Sequence, residues 1–336
     1  TVTFDGSTAQ SITGGTSTIF HNLTINNSSA EITLNSLAIY TAVLGTLNFN
    51  QGVINVNSQS LDFGVGATVT NASNSSHAYN GPLDRSFDNN NQSFTYPVGD
   101  GTNYRPISLN MSSSNTNVLS AAYLFANQNQ SSLNSSLSSL ETYGWDIQRS
   151  TGSDGFNISI PFDASYSITD FNNLTIAMWD GTEWTELPST VTGTASSGSI
   201  TTNTALSDFS NRYFALGYKS IPKTYVPDDN FEAYLETHDA SGNPVSVGDA
   251  NSMGDGIANN DSVTTANISG VTSMDVNNQN IADLNGIEDF TAITNLACSQ
   301  NQIANLDISS NIFLTNLDAH LNQISSVNLD SNTALT

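Results

Sequence analysis

Apolar pairs separated by one polar residue recur through the first 75 residues. Leu23/Ile25, Ile32/Leu34, Leu47/Phe49, Ile54/Val56 and Leu61/Phe63 each put two apolar side chains on one side of an extended backbone, because successive strand residues point to opposite faces. Gly and Asn gather between the pairs, as in Asn50-Gln51-Gly52 and Gly64-Val65-Gly66, where the chain must turn. The pairs return at intervals of about 7 to 15 residues, too uneven for a strict repeat. The pattern predicts an irregular β-solenoid over 1–75, with an antiparallel sandwich as the alternative.

Between 76 and 220 aromatic residues, Pro and Arg enter. Phe94-Thr95-Tyr96-Pro97 reads as a strand running into a turn at Gly99-Asp100-Gly101, and Tyr104–Leu109 and Phe156–Ile160 read as further strands. Ile176–Trp179, Asp180-Gly181 and Trp184 form a hairpin signal, since Asp-Gly favours a tight primed turn. The Ser/Asn-rich stretch 110–140 reads as a mobile loop, or as a loop holding a strand at 121–125. The segment predicts a β-sandwich over 76–220. Pro222–Pro227 reads as a linker opening a third domain, 221–336. A short helix follows at 228–237, with Asp at its start to cap the free N–H groups and Phe231, Tyr234 and Leu235 on one apolar face.

The sharpest periodicity begins at Met274. Met274, Leu296 and Leu317 open matching segments spaced by 22 and 21 residues, followed at fixed offsets by Ile281, Ile303 and Ile324 and by Leu284, Leu306 and Val327. Asn301 and Asn322 hold a common position suited to bonding backbone groups in a bend. This is the leucine-rich repeat pattern, one strand and a turn-rich return path per unit. Cys298 aligns with Val276 and Ala319, which predicts a buried, unreactive thiol. Ile268 and Val271 suggest an imperfect first rung, and the 228–237 helix is placed to cap the array, whose end rungs must be covered. The last unit stops at Thr336 on a repeat boundary, an expectation that more repeats follow. The fold class is mainly β: an irregular β-solenoid or sandwich, then a β-sandwich, then a capped leucine-rich-repeat solenoid.

Charge narrows the partners. The net charge is -24 although only 11% of residues are charged. All six basic residues lie between Arg85 and Lys223, and 224–336 carries 15 Asp and Glu. Such a field repels phosphate backbones and anionic membranes, so nucleic acid and membrane insertion are excluded as partners, and cations, cationic surfaces or neutral glycans fit better. No apolar run is long enough to span a bilayer. The single cysteine cannot form an intrachain disulfide.

The run Tyr225-Val226-Pro227-Asp228-Asp229-Asn230-Phe231, with Asp261-Ser262-Val263, Ile281–Phe290 and the repeat units, resembles the leucine-rich-repeat region of large secreted surface proteins of the Bacteroidota type. Gly81–Arg85, Phe94–Asp100, Tyr104-Arg105-Pro106, Trp145-Asp146-Ile147 and Phe214–Gly217 resemble modules strung through the same proteins. The resemblance implies export to an extracellular or cell-surface location. It carries over no catalytic residue. Asp261-Ser262-Val263 resembles the O-glycosylation motif of this group, an ordinary surface serine being the alternative.

Candidate chemistry is sparse. His21, His77, His238 and His320 are scattered and sit in no metal or nucleophile motif. Asp249, Asn251 and Asp255 have the spacing of a calcium loop, but Met253 and Asn260 stand where further ligands belong, and a polar loop of Asx turns is the favoured account. Trp179 and Trp184 suggest a glycan-stacking platform, against the favoured reading of a cross-strand pair pinning the hairpin. No cofactor is expected apart from calcium at that loop. The expected function is a non-catalytic extracellular adhesion or ligand-binding module whose partner is a protein, a glycan or another copy of itself. The alternatives are a structural subunit of an extracellular filament or surface layer, and a non-catalytic part of a polysaccharide-degrading enzyme.

Overall fold

A computed structural model of the chain describes residues 1–28, 30–35, 40–89, 93–112, 115–124, 131–210 and 212–335. The N-terminal apolar pairs come in threes. The first coil holds β1 (Val2–Phe4), β2 (Gln10–Ile12) and β3 (Thr18–Phe20), the second β4 (Leu23–Asn26), β5 (Ile32–Leu34) and β6 (Thr41–Val43). The third holds β7 (Thr46–Gln51), β8 (Ile54–Asn55) and β9 (Leu61–Phe63), the fourth β10 (Thr68–Thr70), β11 (Ala78–Tyr79) and β12 (Leu83–Phe87). Equivalent strands stack in parallel, giving the sheets β1-β4-β7-β10 and β2-β5-β8-β11, with β3-β6-β9-β12 as part of a larger sheet. The repeat is therefore regular once counted by coil: Leu23 pairs with Leu47, 24 residues on, and Ile32 with Ile54, 22 on. Uneven sides within each coil made the spacing of successive pairs look irregular. Apolar residues stack on apolar ones down the axis, and Leu23, Ile25, Leu47, Phe49, Leu61 and Leu83 are all sealed from solvent.

β12 pairs with β9 in parallel on one side and with β15 in antiparallel on the other. The sandwich strands are β13 (Ser93–Tyr96), β14 (Ile107–Met111), β15 (Asn117–Leu124), β16 (Leu137–Thr151), β17 (Phe156–Asp163), β18 (Leu174–Trp179), β19 (Trp184–Leu187), β20 (Ser189–Thr194), β21 (Ser197–Thr202) and β22 (Arg212–Lys219). One layer is a nine-stranded sheet, β19-β18-β22-β16-β15-β12-β9-β6-β3, that runs without a break from the solenoid; the other is β13-β14-β17-β21-β20. Residues 1–75 and 76–220 share one apolar core. The Ser/Asn-rich stretch is mostly strand, since β15 and β16 enter it; Phe125 lies outside the described residues. The hairpin at Trp179 and Trp184 forms, but its connection is a four-residue loop, Asp180 to Glu183, rather than a two-residue primed turn. The Asp180 carboxylate explains this by accepting the N–H groups of Thr182 and Glu183 at 2.8 and 2.9 Å.

Residues Ile221–Thr336 form a second compact unit. The expected linker is instead a strand, β23 (Lys223–Tyr225), paired antiparallel with β24 (Ser262–Thr264). Helix α1 (Asp229–Thr237) lies between them in sequence, and the expected first rung at Ile268 is a helical turn, α2 (Thr265–Ile268). The repeats follow as β25 (Ser273–Asp275), β26 (Asn295–Ala297), β27 (Leu306–Asp307), β28 (Asn316–Asp318) and β29 (Val327–Asn328). β25, β26 and β28 form a parallel sheet in which Met274, Leu296 and Leu317 stand in register, as the sequence alignment requires. β27 pairs with β29 on the return path. Phe231 and Leu235 of α1 are fully buried in the core that holds Met274, Ile281, Leu296 and Cys298.

Candidate binding face of the repeat unit

Each of the three strands β25, β26 and β28 turns its central residue inward, Met274 and Leu296 buried and Leu317 half-buried, and its two flanking ones outward. The outward row is Ser273 and Asp275, then Asn295 and Ala297, then Asn316 and Asp318, which line a groove of 440 Å³. All but the half-buried Ala297 are exposed. The chain then bends, and Asn278, Gln300 and Leu321 take φ of 57°, 56° and 54° at equivalent positions. Two columns of asparagine hold the frame behind this face. Asn301 Nδ2 donates to the carbonyls of Val276 at 2.8 Å and Cys298 at 3.0 Å, while its Oδ1 accepts the N–H groups of Gln279 and Ile281, each at 3.0 Å. Asn322 repeats this one unit later, donating to Cys298 and Ala319 and accepting from Ile303. The second column, which the sequence reading missed, is Asn311 and Asn332. Asn311 donates to the carbonyls of Ile287 and Phe290, and Asn332 to those of Ile308 and Asn311. Its signal was in the sequence as a 21-residue spacing. Cys298 is fully buried, and burial pushes its thiol up to about 12.

The cap is tied to the repeats through one carboxylate. Asp228 Oδ1 accepts the N–H groups of Asn230 and Phe231, both at 3.0 Å, and its Oδ2 accepts those of Ala282 and Asp283 at 2.8 and 3.1 Å. A helix N-terminus and a repeat bend thus share one acceptor. Phe231 stacks on Phe290, with ring centroids 6.2 Å apart. The far side of α1 organises the loop that follows it. Glu232 accepts the N–H groups of Asn260 and Asp261, and Glu236 those of Asp255 and Gly256. Burial holds the Glu236 carboxyl above its usual range despite these bonds. A side chain at Gly254 would collide with that carboxylate, its Cβ standing 2.1 Å away.

This loop contains the residues singled out for calcium. Asp249 turns onto Asn251, accepting its N–H at 2.9 Å and its Nδ2 at 3.0 Å. Asp255 is engaged elsewhere, taking Lys223 Nζ at 3.0 Å, Asn260 Nδ2 at 3.0 Å and the Ser262 hydroxyl at 3.1 Å. Burial would raise the Asp255 carboxyl, but the bonds from Asn260 and Lys223 outweigh it and hold it below its usual range. Lys223, the last Lys or Arg before a segment that has none, thus pairs with the Asp255 carboxylate. Among the described residues one group of three carboxylates, Asp229, Glu232 and Asp261, brings its oxygens within 4.8 Å of one another. Both oxygens of Glu232 there are taken by backbone N–H groups.

Trp179 and Trp184 face each other across the hairpin, with ring centroids 5.9 Å apart. They are 7% and 0% exposed, packed with Leu137, Ala177 and Ala215, and present no open aromatic face. Three of the six basic residues stack on aromatic rings. Arg85 lies over Phe94, Arg105 over Tyr166 and Arg149 over Phe209, at 4.7, 4.2 and 5.1 Å from the ring centroids. Arg212, Lys219 and Lys223 pair with Asp208, Glu186 and Asp255. One further feature escaped the sequence reading. Asp62 and Asp84 stand side by side on β9 and β12, both accepting the Ser60 hydroxyl, at 2.6 Å for Asp84. Burial, with the neighbouring Asp84 charge, pushes the Asp62 carboxyl up to about 6.

No family model matches this chain. Over 51 residues it is 41% identical to Internalin J of Listeria monocytogenes serotype 4b (strain F2365), a stretch that is 15% of this chain and 6% of that protein. A solved structure described as the functional domain of InlJ from Listeria monocytogenes, including a cysteine ladder, is 28% identical over 34% of this chain and 23% of that one, with a TM-score of 0.27. The chain thus spans a small part of the length of either. The local sequence match accords with repeats of the leucine-rich type. Among the described residues no helix is long and apolar enough to cross a membrane.

Proposed function

We propose that the chain is a non-catalytic module of an exported surface protein, and that the outward strand face of its repeats receives an extracellular partner. The observation that carries this reading is the row Ser273/Asp275, Asn295/Ala297 and Asn316/Asp318. It is in register and, apart from the half-buried Ala297, polar and exposed, and it is mounted on a frame in which Asn301 and Asn322 hold the bends. A rigid row of short polar side chains offers a partner many contacts at little ordering cost. The local match to Internalin J supports a surface-protein setting, and the resemblance to secreted repeat proteins points the same way.

The test is binding of the full chain to a panel of extracellular proteins and glycans, with product analysis on the same panel. Ala297→Trp places a large ring at the centre of the face. Binding to at least one member is expected, weakened about tenfold or more by Ala297→Trp, with no turnover. Binding that ignores Ala297→Trp, or turnover of any member, overturns the reading.

A further inference from the structure

His77 is sealed from solvent just before β11, and backbone groups take both of its ring nitrogens. Nδ1 lies 3.1 Å from the Ser73 carbonyl, which can only accept, and Nε2 lies 3.1 Å from the Gly101 N–H, which can only donate. The two bonds admit one form of the ring, neutral with its proton on Nδ1. A second proton, on Nε2, would meet another donor in a site closed to solvent. Gly101 belongs to the turn 99–104 between β13 and β14, and this turn is laid against the last coil of the solenoid. The Ala78 N–H donates to the Pro97 carbonyl at 2.8 Å, and Val98 bridges Ala78 in parallel, continuing the sheet that β11 ends. The approach is close, since a Cβ on Gly99 would stand 2.7 Å from Nε2.

The groups facing the ring do not supply a charge that would hold it protonated in place. Burial lowers the ring below the usual histidine value; the Ser73 bond and the Asp100 charge pull the other way, and Arg105 adds to burial. Asp100 is committed within its own turn, where it accepts the N–H of Thr102 at 2.7 Å and the Asn103 Nδ2 at 3.0 Å. Arg105 donates to the Ser165 hydroxyl and carbonyl at 2.6 and 2.9 Å. Tyr104 stacks on His77 with ring centroids 6.2 Å apart, and the Tyr79 ring lies against Gly101. Burial pushes both phenols up to about 12, so neither ionises near neutrality. Glu31 accepts the Tyr79 hydroxyl, and that bond holds its carboxyl below the usual range. The turn 73–76 carries no titratable side chain.

We propose that His77 is an acid-operated latch: the neutral ring holds the 99–104 turn against the last coil, and a proton on Nε2 displaces the Gly101 N–H and lets the turn open. The pairing of β12 with β9 and β15 is not involved, so acid loosens the joint between solenoid and sandwich on one side only. Closing lowers the ring's affinity for a proton. The turn is therefore fully held above pH of about 6.5, the ordinary histidine value, and the hold is lost as pH falls below it toward the value of the closed ring. Asp62, raised by burial, acts in the opposite direction, since its contribution is lost as pH rises.

Hydrogen exchange of the Gly101 amide in the full chain, corrected for the intrinsic rate at each pH, reads the latch. Its protection is expected to be level near neutrality and to fall about tenfold per pH unit below about 6.5. The Phe156 amide, bonded to the Leu206 carbonyl at 2.8 Å in the sandwich, should keep its protection over the same range. His77→Gln offers an amide oxygen to the Gly101 N–H but cannot titrate, and should flatten the Gly101 profile. Asp100→Asn removes a charge that favours the protonated ring, and should move the fall to lower pH without abolishing it. Nitrogen NMR of the parent ring at neutral pH needs no variant, and is expected to find the proton on Nδ1. A proton on Nε2, a flat Gly101 profile in the parent, an equally steep one in His77→Gln, or an equal loss at Phe156 overturns the proposal.

Discussion

Asn301 is where the repeat frame can be tested most directly. Its side chain makes four well-formed bonds, two accepted from Gln279 and Ile281 and two donated to Val276 and Cys298, and it is buried. Asn301→Ala removes all four and leaves two N–H groups and two carbonyls without this partner. An unmade buried bond costs about 1–3 kcal/mol, and water entering the vacated space returns part of that, so a net loss of about 3 kcal/mol is expected. Cys298 reports on it from the same bend. In the closed state its thiol is sealed and pushed up to about 12, so labelling by a thiol reagent requires opening. A 3 kcal/mol drop in opening free energy speeds labelling about a hundredfold. Asn322 is only half-buried and accepts one N–H, so Asn322→Ala should cost about 1 kcal/mol and speed labelling about fivefold. Labelling that is fast in the parent chain, or equal in all three proteins, would refute the idea that these side chains hold the bend closed.

Asp228→Ala removes both the helix cap and the tie to Ala282 and Asp283, and should lower the stability of the 221–336 unit by about 2 kcal/mol, read as an earlier urea transition; Asp228→Glu, one methylene longer, should recover only part. Trp184→Ala empties a fully buried site and should cost about 3–5 kcal/mol in denaturant unfolding of the 1–220 unit. The Asp62 carboxyl, raised to about 6 when folded, binds its proton more tightly in the folded chain than in the unfolded one. Its contribution is therefore complete below pH of about 4 and is lost as pH rises through about 6, and after discounting for solvent screening it amounts to about 1 kcal/mol. Asp62→Asn should flatten that part of the stability profile measured by urea titration; a parent profile already flat between these pH values would show that no proton is held there.

Much of the repeat unit was legible because its signal is local and repeated. Met274, Leu296 and Leu317 align by counting alone, and the register in the sheet is the same. The Asp228 cap was visible as a capping residue before an apolar face, but not its second role, which depends on a bend 54 residues away. The solenoid was half-read. Its strands were found as pairs, but its period was masked because the three sides of each coil differ in length, and only stacking reveals which pair follows which. The Trp179/Trp184 hairpin was legible, while its loop was misjudged because the Asp180 side chain caps a wider turn that the dipeptide alone does not specify. The groove that Tyr234, His238 and Asp275 line was not legible, because the loop after α1 and the first repeat strand that form it are distant in sequence.

β12 closes the solenoid through Leu83–Arg85, paired with β9, and opens the sandwich through all five of its residues, paired with β15, with Leu83, Arg85 and Phe87 buried. The junction is thus independent of how many coils precede it. Excising or duplicating one coil of roughly 22 residues, cut at equivalent corners, changes the number of layers beneath β12 but not what β12 meets. The solenoid can therefore serve as a spacer of adjustable reach, lengthened in steps of about 4.8 Å per coil, the distance between neighbouring strands. A cut of any other length would shift the alternation by part of a coil and turn apolar side chains outward. Variation in this part of the molecule is in that sense digital, coming in whole layers or not at all.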